Sequence, residues 1–232
     1  MARTVGSHGP RTMEAIRKAG LGLIYKHGYE AMSLRQLAAA VGIQAGSLYN
    51  HISTKQDLLF DLIKVHMDEL LERLDKTLDG IDPPLERLKA FITFHVDYHI
   101  SRKREVFISY SELRSLEPKN YDTIVALRRD YERRLISILD EGVARGDFVV
   151  ADTTVAAFGI LSMLTGVCTW FKPAGRLKKN EVVEIYAQMV CRGLVQPGAA
   201  GAPSFGRVLM STPVEPEDLP DRDQTPIRQT DF

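Results

Sequence analysis

Apolar positions recur at intervals of three and four residues along most of this chain, the period of helices packed on one face, and the reading that follows is an all-α protein. Ile16, Ala19, Gly20 and Leu23 predict a first helix over about residues 11–27, ended by Gly28. Leu34, Leu37, Ala38 and Val41 make a short second stripe. Ser33 stands at its N-cap, Gln36 completes a capping box, and Gly42 follows at the C-terminal cap. Ala45, Leu48, Tyr49 and Ile52 give a third stripe, predicting a helix that reaches Ile52. Thr54, with Asp57 three residues on, caps a fourth helix whose apolar row runs through Leu58, Leu59, Leu62, Ile63, His66, Leu70, Leu74 and Leu78.

The second half continues the pattern. After a break over residues 79–83, Pro84 opens a helix to about Ser101 with Leu88, Phe91, Ile92, His95 and His99 on one face. The next helix, through Leu116, places Phe107, Tyr110, Ser111 and Arg114 at i, i+3, i+4 and i+7, and Pro118 separates it from a long helix over about residues 121–145. There Tyr131 points inward, and Arg128, Arg129, Arg133 and Arg134 are expected mostly outward as a salt-bridged surface, with an anion-holding cluster as the alternative. Asp152 caps a segment, residues 153–171, that carries no charge; Asn180 begins a last helix with Val182, Ile185, Tyr186, Met189 and Gly193 in a row. Length alone would let residues 153–171 span a membrane, but four threonines, a serine and two glycines lie inside, and a buried helix at a subunit interface fits better. Val155, Gly159, Ser162 and Gly166 form a seam of small residues there.

Formal net charge is zero, yet residues 1–55 hold seven Lys and Arg against two Glu, whereas residues 197–232 hold three basic and six acidic groups and six of the eleven prolines. A basic head on a near-neutral body implies an anionic partner for the head alone. The organisation expected is a mobile arm (1–10), a helix-turn-helix domain (11–53), a helical ligand-binding and dimerisation domain (54–196) and a disordered tail (197–232). Cys168 and Cys191 sit among apolar neighbours and are expected as buried thiols. With no apolar leader at the start, a cytoplasmic protein is expected.

Gln44, Ser47, Asn50 and His51 project from the polar side of the third helix, and small hydrogen-bonding groups on such a helix read base edges and phosphates. The ordered run Ser33-Leu34-Arg35-Gln36-Leu37-Ala38, Val41-Gly42-Ile43, Gly46-Ser47-Leu48-Tyr49-Asn50-His51-Ile52 and Thr54-Lys55-Gln56-Asp57-Leu58-Leu59 resembles the DNA-binding signature of the tetracycline-repressor (TetR) family, with Ile52 where the family usually has Phe. The resemblance implies DNA contacts from Ser33, Arg35, Gln44, Ala45, Ser47, Tyr49, Asn50, His51 and Lys55. Lys55 lies in the first turn of its helix, where the dipole disfavours a cation unless a phosphate is close.

The body is read as the sensor. His95 and His99, one turn apart, could be hydrogen-bonded core imidazoles, polar groups lining a cavity, or two ligands of a zinc site for which no third is identifiable. The candidate ligand-binding set is Phe91, His95, Tyr98, His99, Phe107, Tyr110, Ser111, Arg114, Tyr131, Phe158 and Trp170. The stretch from Pro118 through Pro173 is similar to family branches that sense acyl-coenzyme A thioesters. A hydrophobic drug or a free fatty acid suits the same aromatic wall. The expected partners are therefore duplex operator DNA, a second copy of the chain through the last two helices and a small hydrophobic effector such as an acyl-coenzyme A or a fatty acid. No cofactor, metal or membrane is expected, and an enzyme is disfavoured because no nucleophile elbow, phosphate loop or metal cluster is present. An architectural DNA-binding protein without effector control is the alternative of a different class.

Overall fold

The computed structural model describes residues 9–194; the expected arm, apart from residues 9 and 10, and the expected tail lie outside the described residues. Every regular element among them is helical: α1 (Gly9–His27), α2 (Leu34–Val41), α3 (Ala45–Leu48), α4 (Lys55–Leu78), α5 (Pro84–Ser101), α6 (Lys103–Ser111), a 3-10 turn (Leu113–Ser115), α7 (Pro118–Arg145), α8 (Thr153–Thr165), α9 (Val167–Trp170) and α10 (Lys179–Leu194). The all-α expectation stands.

Local chemistry sets the element ends. Ser33 Oγ accepts from the Gln36 amide and Gln36 Oε1 accepts from the Ser33 amide, and Thr54 with Asp57 repeats the exchange at the start of α4. Gly42 takes φ of 75°, a left-handed backbone that turns the chain between α2 and α3. Asp152 accepts from the Val155 amide at the start of α8.

Four element boundaries differ from the apolar pattern. α3 is helical only over Ala45–Leu48; beyond it the His51 amide reaches back three residues to the Leu48 carbonyl, so the stripe ends in a tightened turn. α6 stops at Ser111 and the chain winds into a 3-10 turn, which rotates Arg114 away from the row that spacing assigns it. Pro118 starts α7 instead of standing apart from it, because a residue without an amide hydrogen is suited to the first helical position. The apolar segment Thr153–Trp170 has the length and composition to cross a membrane, but it bends at Gly166 into α8 and α9. α8 alone is about 20 Å long, shorter than the ~30 Å of a bilayer core.

The head, α1 to α3, packs on the first turns of α4 around Ile16, Ile24, Leu37, Leu48, Ile52 and Leu58, all buried. Arg17 of α1 fixes this docking through a bidentate pair with Asp61 of α4, at 2.7 and 2.8 Å. The rest of α4 enters the body, where α5 lies central, touching α4, α7, α8, α9 and α10. At the far end α7 turns through Gly146, and Phe148 folds back under Gly142. A Cβ on Gly142 would overlap the Phe148 ring, which is buried and has no room to retreat. Gly142→Ala is therefore expected to lower stability by about 1–3 kcal/mol, read as a shifted midpoint in urea denaturation.

Candidate functional site

The residues expected to meet DNA lie around the turn pair, at the surface of the head. Ser33, Arg35, Gln44, Ala45, Ser47, Tyr49 and Asn50 are exposed, and His51 and Lys55 are partly so. Gln44 occupies the N-cap of α3 without using its side chain there, and Tyr49 is 55% exposed despite its size. Lys55 is held in place: its Nζ donates to the Glu30 carbonyl at 3.2 Å, lies 3.5 Å from the Glu30 carboxylate and sits over the Tyr29 ring.

A cavity of about 530 Å³ opens in the body between α4, α5, α6, α7 and the α8–α9 bend. Its floor is buried: His66, Met67 and Leu70 of α4, His95 and His99 of α5, Ser109 of α6 and Tyr131 of α7. Tyr110, Phe158, Ser162 and Thr169 are exposed at its mouth. Of the residues expected to bind a ligand, His95, His99, Tyr110, Tyr131 and Phe158 line this space. The other six lie outside its lining. Phe91 and Tyr98 point into the packed core, where Phe91 packs on Tyr131 and Tyr98 bonds to His66. Trp170 packs on Phe171 and Tyr186. Phe107, Ser111 and Arg114 face away because α6 turns Val106 and Ser109 inward; Phe107 instead meets Tyr25 of the head, ring centroids 5.2 Å apart and nearly perpendicular.

His66, Ser109, Arg128, Ser162, Thr165 and Thr169 also line the cavity, and helical spacing in one chain segment does not identify them, since each faces it by virtue of how its helix is rotated against the others. Arg128 is a correction to the outward set: it is partly buried, donates to the Ser109 carbonyl at 2.6 Å and to Ser109 Oγ at 3.1 Å, and lies 4.6 Å from the Tyr110 ring centroid. Burial pulls its pKa down, and the guanidinium stays charged at neutral pH. Arg134 does stay on the surface, paired bidentately with Asp75.

The imidazoles form a stack. His95 and His99 have ring centroids 3.7 Å apart, with planes 9° from parallel. His95 bonds through Nδ1 to the Tyr131 hydroxyl at 2.9 Å and through Nε2 to Thr165 Oγ1 at 3.1 Å, so both of its nitrogens are already engaged. His99 Nδ1 donates to the His95 carbonyl at 2.8 Å. Burial is the leading cause that holds all three rings neutral, taking His66 from 6.5 to about 3, His99 to about 4 and His95 well below its ordinary value. Behind the stack the Cys168 thiol donates to the His99 carbonyl at 3.3 Å, and burial pushes that thiol up to about 11.

Two family models match this chain. "Bacterial regulatory proteins, tetR family" covers residues 16–62, and "Tetracyclin repressor-like, C-terminal domain" covers residues 81–194. The crystal structure of a TetR family transcriptional regulator, PfmR from Thermus thermophilus, is 31% identical with a TM-score of 0.70, over 78% of this chain and 99% of that one. The chain belongs to the TetR family. Another TetR-type structure it resembles is AibR in complex with isovaleryl coenzyme A and operator DNA, 30% identical with a TM-score of 0.71, over 77% of this chain and 97% of that one. It is also 28% identical to the HTH-type transcriptional repressor KstR2 of Mycolicibacterium smegmatis over 171 residues, 73% of this chain and 83% of the relative. This TetR-family chain is thus a DNA-binding transcriptional regulator.

The neutral stack makes stability depend on pH. With each folded-state pKa below the unfolded value, the unfolded chain takes up protons first as pH falls through about 6.5, so the stabilisation is full above that point and is lost below it. Thermal denaturation between about pH 7.5 and pH 4.5 should show stability falling by up to about 1.4 kcal/mol per pH unit for each ring, and His99→Phe should make that slope shallower.

Proposed function

We propose that this chain is a repressor that works as a homodimer and leaves a palindromic operator when a small, largely apolar effector, of the acyl-coenzyme A or fatty-acid class, enters the body cavity. The observation that carries this reading is the double engagement of α6. Ser109 and Tyr110 belong to the cavity, whereas Phe107 packs on Tyr25 and Arg104 lies over the same ring at 5.6 Å. Nine residues of helix cannot move at one point and stay still two residues away. A ligand that shifts Tyr110 therefore pushes on α1, and α1 carries the head.

A second link runs beside the first. Gln56, in the first turn of α4, donates to the Ser115 carbonyl at 2.5 Å and accepts from the Glu117 amide at 3.1 Å, bracketing the turn between α6 and α7. Recognition elements of a dimer must enter successive major grooves about 34–36 Å apart, so a tilt of each head costs contacts at both half-sites. The dimer surface of this reading uses the last two long helices, α10 and α8, the latter with Val155, Phe158 and Gly159 exposed. An acyl-coenzyme A effector is supported by the isovaleryl coenzyme A bound in AibR and by the partly buried Arg128 in the cavity wall, which offers an anionic group a partner. A drug-sensing repressor of an efflux gene shares this geometry and differs only in its ligand.

Copurified ligand identified by mass spectrometry, followed by operator release in a gel-shift titration, tests the reading; a chain stabilised by no lipid or acyl thioester would be an architectural DNA protein instead. Two variants probe the DNA face. Tyr49→Phe removes an exposed hydroxyl from that face and should weaken operator binding about three- to tenfold with the dimer intact. Lys55→Ala should weaken binding to all sequences and reduce the salt slope by about one. Phe107→Ala should leave effector affinity within about twofold of the natural chain while blunting operator release, because it acts on the link and not on the cavity; equal release by both proteins would place the coupling elsewhere.

A further inference from the structure

The cavity floor is not uniformly apolar, and one of its polar atoms is committed to a single role. His99 is 3% exposed, and its Nδ1 hydrogen goes to a backbone carbonyl, which accepts only. Nε2 of the same ring must then be the bare nitrogen, a hydrogen-bond acceptor. It has no partner among the described residues, and the ring forms part of the cavity wall. His66 differs: the one Tyr98 hydroxyl hydrogen faces both the His66 carbonyl at 3.2 Å and His66 Nδ1 at 3.3 Å, so that ring can take either tautomer. The hydroxyls of Ser109, Ser162 and Thr169 can likewise rotate to suit a donor or an acceptor; the bare His99 nitrogen cannot.

Where no ligand is bound, an accepting nitrogen of this kind is hydrated. A ligand that displaces the water with a methylene leaves a buried acceptor without a donor, whereas one that brings an O–H restores the bond. A carboxylate would bring lone pairs against lone pairs. We propose that the effector carries a hydroxyl at its buried end, accepted by His99 Nε2, so that the regulator selects hydroxylated acyl chains over plain or ω-carboxylated ones. This deepens the reading of an apolar effector and rests on it. The low basicity of the buried His99 ring keeps it neutral, and so accepting, throughout the physiological range.

Calorimetric titration of the full-length protein with dodecanoic acid, ω-hydroxydodecanoic acid, ω-methoxydodecanoic acid and dodecanedioic acid, each as its mono-coenzyme A thioester, tests the proposal. The ω-hydroxy thioester should bind about tenfold or more tightly than each of the others. His99→Phe keeps a flat ring against His95 but removes the acceptor, and should bring the hydroxy and unsubstituted probes to within about threefold of each other. The methoxy probe matching the hydroxy probe on the natural protein, a comparison that needs no variant, would overturn the inference, as would a preference that survives His99→Phe. Binding of the unsubstituted chain with no gain from the hydroxyl removes this inference alone; failure of all four probes to bind removes the acyl-coenzyme A reading together with it.

Discussion

One uninterrupted helix carries a continuous apolar core from the head into the body. α4 buries Leu58 and Leu59 against the head and Leu70, Leu74 and Leu78 inside the body, with no glycine or proline between them to act as a hinge. A helix of 24 residues is about 36 Å of nearly rigid rod. The Arg17–Asp61 fork locks α1 to it, so the head follows the rod. In the proposed mechanism this rod holds head and body together, and the contacts of α6 with α1 and of Gln56 with the turn between α6 and α7 join them a second time.

The body answers a different problem, which is how to keep a space open inside a close-packed bundle. Its floor is built from stiff flat rings fixed by hydrogen bonds: His95 between Tyr131 and Thr165, His99 stacked on it, and His66 tied to Tyr98. Flexible side chains would collapse into such a void, whereas bonded rings hold their planes. Polar residues at core positions thus give the cavity a defined wall, and their neutrality at neutral pH is the condition for that role.

How much of this could be read from the residue order follows from how local each feature is. The caps at Ser33 and Thr54, the left-handed Gly42 and the periodic rows of α1, α4, α5 and α10 depend on neighbours within four positions, and the chain carries those signals in plain view. The short α6 misleads for a physical reason. Phe107 and Tyr110 look alike by spacing, and only packing against α1 and α7 decides that one aromatic meets the head and the other the cavity. Arg128 shows the same limit, because Arg129, Arg133 and Arg134 face solvent or surface carboxylates while it alone turns toward Ser109. His66 is visible as one member of an apolar row, with nothing in the spacing to single it out from the leucines around it.

The thiol behind the histidine stack has a practical side. Cys168 spends its hydrogen on a backbone carbonyl and keeps its proton well past neutrality, and burial raises Cys191 too. Since thiolate is the species that attacks maleimides and peroxides, both sulphurs should be slow to react. An extra cysteine introduced on the exposed face of the head would then take a fluorophore ahead of the native pair, and the environment of the head could be followed in solution without first stripping the chain of its own cysteines.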